Sequence, residues 1–394
     1  MSLHSVCWRN AAIYTPEGIV SQGTLVVDGN GRIAAIGGPE LAIAPDLQVV
    51  DASGLLLLPG MIDVHIHGGN GCGVMAGEYE QLDGISRFHA AHGTTAFLAT
   101  TTTAPLEQIK RALNEAAHAI QRGVSGAALV GIHLEGPYIN EKRRGAQSKA
   151  DIRTSTPAEL EELFEAADRL IKLVTLAPEA DGGLEAVRRF ADWGVTVSAG
   201  HSDATYEEVA EAIRHGVRHT THHFNGMSPL HHREPGLAGA GLLLPELTTE
   251  LICDGIHVHP AIVKLLFELK GPMRVCMITD AVECAGLPDG DYDDVTMRDG
   301  HIYLKDGSSL AGSSLTMIQA LRNAIRFTGY PLEKLLPSFT QVPARQIGMD
   351  DRKGSLQPGK DADFILVDPD LNVCLTVVGG KTVYRRTASD GTRA

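Results

Sequence analysis

Between Leu57 and Thr279 the sequence repeats one unit eight times: a short, continuous apolar run, in most cases followed by a helix-length amphipathic stretch. The runs are Leu57–His65, Thr94–Ala99, Ala128–Leu134, Leu170–Leu176, Val195–Ala199, Arg218–His222, Thr248–Ile252 and Arg274–Thr279. Helical patterning follows near Leu106–Gln121, Pro157–Ala167, Gly183–Asp192, Tyr206–His215 and Ala261–Lys270. Strands that are apolar on both faces belong in a parallel sheet covered by helices. Eight such units in roughly 300 residues predict a (β/α)8 TIM-type barrel. A doubly wound sheet is the competing arrangement, but no GxGxxG turn follows the first run.

The two ends read differently. Ala11–Tyr14, Gly23–Val27, Arg32–Ile36 and Gln48–Asp51 at one end, and Asp363–Val367, Cys374–Val378 and Lys381–Arg385 at the other, are β-type runs. Turn residues divide them: Gly29-Asn30-Gly31, Pro369-Asp370 and Gly379-Gly380. One small domain built from both ends is expected, at residues 1–57 and 353–394, beside a barrel at 58–352.

Bulk properties narrow the function classes. The formal net charge of −14 repels polyanions, so no nucleic acid partner is expected. No apolar run is long enough to span a bilayer, and the first residues carry no secretory pattern, so no membrane association is expected. The six cysteines form no CxxC pair and no disulfide framework, which fits a cytoplasmic setting. A small anionic substrate would require a local cationic pocket.

In such a barrel, chemistry sits where strands end at the C-terminal face. The first run ends in Asp63-Val64-His65-Ile66-His67, the third in His133-Leu134-Glu135, the fifth in Ala199-Gly200-His201, the sixth in Thr221-His222 and the eighth in Thr279-Asp280. His65 and His67 share one side of a strand, because alternate residues do. Each residue alone has an ordinary structural reading. The two first-strand histidines could be a polar pair, Ser202 or Asp203 could cap a helix, one of His222 and His223 could be packed, and Asp280 could close a turn. Together, four histidines, one glutamate and one aspartate on one face could hold two divalent ions with a carboxylate between them, Asp280 serving as proton shuttle.

The motifs around these residues carry a resemblance. PGMIDVHIHG (Pro59–Gly68) resembles the first-strand motif of the amidohydrolase superfamily. HLEGPYIN (His133–Asn140), AGHSDAT (Ala199–Thr205), HHFNGMSPLHHREPGL (His222–Leu237), DGIHV (Asp254–Val258), TDAV (Thr279–Val282), LAGSSLTM (Leu310–Met317) and GSLQPGKDADFILVD (Gly354–Asp368) resemble its N-acetylglucosamine-6-phosphate deacetylase family, over nearly the whole chain. The resemblance implies a metal-centred barrel flanked by a β-sandwich from both termini. It implies that Glu135, His201 and His222 hold the principal metal, with Asp280 as acid and base. His65 and His67, which some members lack, imply a second ion bridged by Glu135; zinc or iron is expected. Many relatives bridge with a carboxylated lysine at the end of strand four, but that strand's only lysine, Lys172, lies near its start.

The resemblance further implies a phosphosugar substrate. Its phosphate would be held by the Asn225–Gly226 backbone, by His257 and by Arg233 reaching in from a neighbouring subunit, hence a homodimer. Read alone, Arg233 suggests a surface ion pair with Glu234. Where many members carry a substrate-contacting histidine, this chain has Gln147, whose amide could donate to the sugar or carbonyl oxygen. Other expected possibilities are a deacetylase of another N-acyl substrate (N-acetylgalactosamine 6-phosphate, a non-phosphorylated N-acetyl sugar, an N-acyl amino acid) and a catalytically inactive barrel acting as a binding module.

Overall fold

Eight parallel strands follow one another in chain order: Met61–Ile66, Thr94–Thr100, Ala128–Glu135, Ile171–Leu176, Thr196–Ala199, Val217–Thr220, Thr248–Ile252 and Val275–Ile278. These come from a computed structural model that describes residues 5–387. Residues 1–4 and 388–394, assigned above to the small domain, lie outside the described residues. The first and eighth strands meet across a seam that nearly closes the barrel. Ile66 bridges to Ala281, the Asp280 N–H donates to the His65 carbonyl at 3.0 Å, and the Thr279 hydroxyl donates to Asp63 at 2.6 Å.

Helices cover the outside because each presents one apolar stripe. Leu106–Arg122 buries Ile109, Ala112, Leu113, Ala116 and Ala117, at the spacing that lines one helical face. Tyr206–His215 starts on a reciprocal cap, with Thr205 accepting from the Glu208 N–H while Glu208 accepts from that of Thr205. Among the described residues no helix is long and apolar enough to cross a membrane.

Strands from both ends form a separate mixed sheet. It holds Val6–Thr15, Gly18–Val27, Ile33–Gly37, Gln48–Asp51 and Leu56–Pro59 with Phe364–Val367, Val373–Val378 and Lys381–Arg385, hydrogen-bonded as one sheet. Trp8, Ile13, Leu25, Leu57, Phe364 and Leu375 share its core, with the Trp8 and Phe364 rings meeting edge-on at 5.4 Å.

The structure departs from the sequence reading at three places. The run Leu57–His65 is two strands, one in each sheet, broken at Gly60 where a Cβ would lie 2.1 Å from the Thr95 hydroxyl oxygen. The sixth strand ends at Thr220, which leaves His222 on the loop beyond it. After the eighth strand comes an unanticipated three-stranded sheet, Gly290–Tyr292, Val295–Arg298 and His301–Leu304.

Candidate metal centre and active site

The strand ends bring His65, His67, Glu135, His201, His222 and Asp280 together. Oε1 of Glu135 lies 3.2 Å from His201 Nε2, 3.3 Å from His222 Nε2 and 3.5 Å from His65 Nε2. Oε2 of Glu135 lies 3.4 Å from His67 Nε2. Oδ1 of Asp280 lies 3.2 Å from His67 Nε2 and 3.5 Å from His65 Nε2. The histidine tips also face one another, His201 to His222 at 3.1 Å and His65 to His67 at 3.2 Å.

What stands behind each ring decides what its tip can do. Nδ1 of His201 faces the Arg143 carbonyl at 2.9 Å, and Nδ1 of His222 faces the Asn225 carbonyl at 3.1 Å. A carbonyl oxygen only accepts, so each Nδ1 carries the hydrogen and, in the neutral ring, Nε2 is a lone pair. Nδ1 of His65 likewise faces the Glu250 carboxylate at 3.0 Å. Lone pairs of His201, His222 and Glu135 therefore point at one spot, which only a cation can reconcile. Two ligands about 2.0–2.1 Å from one tetrahedral ion sit roughly 3.3–3.4 Å apart, close to the spacings found. Among the described residues three groups of possible ligand atoms lie this close together: Glu135 with His201 and His222, His65 with His67 and Asp280, and, on the far side of the His65 ring, His65 with His133 and Glu250.

The electrostatics agree. Burial alone would raise Glu135, but His65, His201 and His222 hold it well below the usual carboxylate range. Burial alone would lower His67, yet Asp280 and Glu135 lift it to about 9. His65 goes the same way, raised by Asp280, Glu135 and Glu250. Positive charge belongs at this cluster, carried by protons or by metal. The backbone is strained here as well: His201, His222 and Asp280 have φ of +47°, +27° and +52°. Such conformations cost on the order of 1–3 kcal/mol each and concentrate where function requires them.

The cluster floors a cavity of about 420 Å³, also lined by Gln147, Asn225, Gly226 and His257 and, from the unanticipated sheet, by Asp294, Val295 and Leu304. Gly226 is required: its φ is +57°, and a Cβ would sit 2.9 Å from His201 Nδ1. His257 donates to Asp254 at 2.6 Å; burial opposes its charge, but Asp254 raises its pKa.

The amidohydrolase family profile matches residues 56–383. The chain belongs to the amidohydrolase family. Within it, the N-acetylglucosamine-6-phosphate deacetylase of Vibrio furnissii is 39% identical over 393 residues, covering 98% of this chain and 97% of that one. The N-acetylgalactosamine-6-phosphate deacetylase of Escherichia coli O157:H7 is 40% identical over 337 residues, covering 84% and 89%. A mutant N-acetyl-D-glucosamine-6-phosphate deacetylase from Mycobacterium smegmatis, solved with N-acetyl-D-glucosamine-6-phosphate, superposes with a TM-score of 0.90 at 31% identity, covering 96% and 99%.

Other residues of this amidohydrolase fall into place around the cluster, some of them unforeseen. Glu250, fully buried in the seventh strand, was missed; it accepts from His65 Nδ1, from the His222 N–H at 2.9 Å and from His219 Nε2 at 3.2 Å. His133 faces the Val64 carbonyl and the Thr175 hydroxyl beneath the cluster, and burial lowers its pKa to about 3. His223 is the packed member of its pair, facing the Ala238 carbonyl. Glu179, at the end of strand four, braces the His201 loop by accepting from Asn140, Ser202 and Asp203. Arg143 contributes its carbonyl to His201, while its guanidinium pairs with Asp203. Two expectations shift. The Gln147 amide donates to Glu135 instead of standing free for substrate. Arg233 is exposed outside the cavity and contacts His232 at 2.7 Å, with no carboxylate at ion-pair distance among the described residues.

Proposed function

We propose that this chain hydrolyses the acetamide of N-acetyl-D-glucosamine 6-phosphate, giving D-glucosamine 6-phosphate and acetate. The carrying observation is the convergence of the His201, His222 and Glu135 lone pairs beside Asp280 on a cavity floor, in a chain matching such deacetylases almost end to end. His65, His67, Glu135, His201, His222 and Asp280 would hold one or two divalent ions, Zn²⁺ or Fe²⁺. An ion bound there supplies Lewis acidity toward the carbonyl and acidifies water. Asp280, held below the usual carboxylate range against burial by His65 and His67, is the base that takes a proton from water. It returns that proton to the sugar nitrogen as the C–N bond breaks.

The phosphate would rest on the Asn225–Gly226 backbone and His257, with Arg233 supplied by the partner of a homodimer. Two facts support this reading. Among the described residues, no lysine or arginine lines the cavity, so a dianion needs a cation from elsewhere. Leu230, Leu243, Ile262, Leu265 and Leu269 are exposed large apolar side chains, and the last three share one face of Pro260–Lys270, a helix that packs against Gly236–Leu243, the helix next in sequence after Arg233.

The test compares kcat/KM on N-acetylglucosamine 6-phosphate, its galacto epimer and unphosphorylated N-acetylglucosamine, with metal content measured alongside. The galacto epimer is the second reading, favoured by the 40% identical relative that acts on it. A preference for the unphosphorylated sugar would refute the phosphate assignment. Turnover of none of them by metal-replete protein would favour a binding module.

A further inference from the structure

Gln147 stands in the cavity wall, yet its side chain is already committed. Its Oε1 accepts from the Thr102 hydroxyl at 2.6 Å and from the Thr103 N–H at 2.7 Å. A backbone N–H can only donate, so the atom it meets is the amide oxygen and the amide cannot be reversed. Reversal would set an NH2 against an N–H and a carbonyl against a carboxylate. The NH2 therefore faces Glu135, 2.7 Å from Oε2, and only its second hydrogen is left for the cavity. Thr102 and Thr103 lie two and three residues past the end of the second barrel strand, so the lock is built into the barrel rim.

We infer that Gln147 is a positioning residue that acts through Glu135: it divides that carboxylate between the two ion positions. Oε2 is pinned on the side of His67, and Oε1 is thereby turned toward His201 and His222. Without that donor the carboxylate is free to rotate about its last bond, and the oxygen shared between the two ligand groups is no longer fixed. A neutral amide does this without adding charge to a cluster whose histidines must remain ligands. A histidine at this position would carry a titratable ring against the same carboxylate.

This inference rests on the metal-hydrolase reading above, and the experiment separates the two. Gln147→Met keeps length and removes the amide. Thr102→Val removes one of the two donors that lock it. Zn²⁺ affinity is measured by chelator competition on each purified protein, with KM and kcat on N-acetylglucosamine 6-phosphate. The expected result is that the more weakly held Zn²⁺ loses about 10–100-fold in affinity in Gln147→Met and a smaller factor in Thr102→Val. KM stays within about twofold while kcat at fixed Zn²⁺ falls, as loss of a transition-state rather than a binding contribution requires. Unchanged Zn²⁺ affinity in both variants, or a raised KM with wild-type affinity, would overturn the inference and make Gln147 a substrate contact, leaving the metal reading intact. A wild-type protein that takes up no Zn²⁺ would overturn both.

Discussion

Removing the Glu250 carboxylate tests the buried scaffold beneath the metal ligands more sharply than removing a ligand would. This side chain is fully buried and takes hydrogen bonds from three donors: His65 Nδ1 at 3.0 Å, the His222 N–H at 2.9 Å and His219 Nε2 at 3.2 Å. In Glu250→Leu the His65 and His222 donors stay buried without an acceptor, while His219 can move its hydrogen to Nδ1. Each orphaned donor costs about 1–3 kcal/mol, so the expected loss is about 2–6 kcal/mol. That is a large share of the roughly 5–15 kcal/mol by which folded proteins are stable. With an unfolding entropy of about 2.1 cal/mol/K per residue over 394 residues, the midpoint should fall by about 2–7 °C. Glu250→Gln should fall by less than half as much. Its amide oxygen can still accept from His65 and His222, and His219 can move its hydrogen to Nδ1, which faces Gln346 Oε1 at 3.2 Å. Calorimetry on metal-stripped protein reads both variants without the stabilisation that a bound ion adds. Equal falls, or a leucine variant within about 1 °C of the parent, would refute the claim that Glu250 is a hydrogen-bond hub.

Three further outcomes are expected. Asp280→Asn should retain its metal and lose about 10²–10⁴-fold in kcat, read by turnover alongside metal content; near-normal turnover would remove the proton-shuttle role. Arg233→Ala should raise KM for the phosphorylated sugar about 10–100-fold, as loss of a charge-assisted contact implies, and leave the unphosphorylated sugar untouched; equal effects on both would place Arg233 away from phosphate. His67, raised from 6.5 to about 9, is protonated in metal-stripped protein at neutral pH. Its contribution to stability is complete below pH 6.5 and is lost as pH rises through about 9, while Zn²⁺, which displaces that proton, binds more tightly over the same window. Chelator competition from pH 6.5 to 9 checks this, and an affinity that does not change across the window counts against it.

The clustered side chains were legible because each is a polar residue at, or within two residues of, the end of an apolar strand, and strand ends converge in a barrel. His65, Glu135, His201, His222 and Asp280 all announce themselves in that way. Glu250 did not, since it sits inside Thr248–Ile252 and nothing local says that its carboxylate has three buried donors. A signal was available: a charge in the middle of a strand buried on both faces must point into the barrel and find partners there. The sheet spanning Gly290–Leu304 was hidden by its acidic residues, although Asp299-Gly300 between two β-type runs is a hairpin signature. Gln147 was placed in the cavity wall, but the contact of its amide with Glu135 was not foreseen. Its direction depends on Thr102 and Thr103, about 45 residues earlier in the chain, which no local pattern connects to it. Arg233 lies outside the cavity, and the sequence reached it only through family likeness.

His65 in the first strand, and His67 and Asp280 just past the ends of the first and eighth, stand on the two strands across which the barrel closes. The Asp280 N–H on the His65 carbonyl, the His67 N–H on that of Ala281 and the Thr279 hydroxyl on Asp63 are stitches of the wall and spacers of the reacting groups at once. Fold integrity and the spacing of Asp280 from His65 and His67 are thus a single mechanical coordinate. A substitution that loosens the wall far below the cavity would be felt first as slowed chemistry, before any melting is seen.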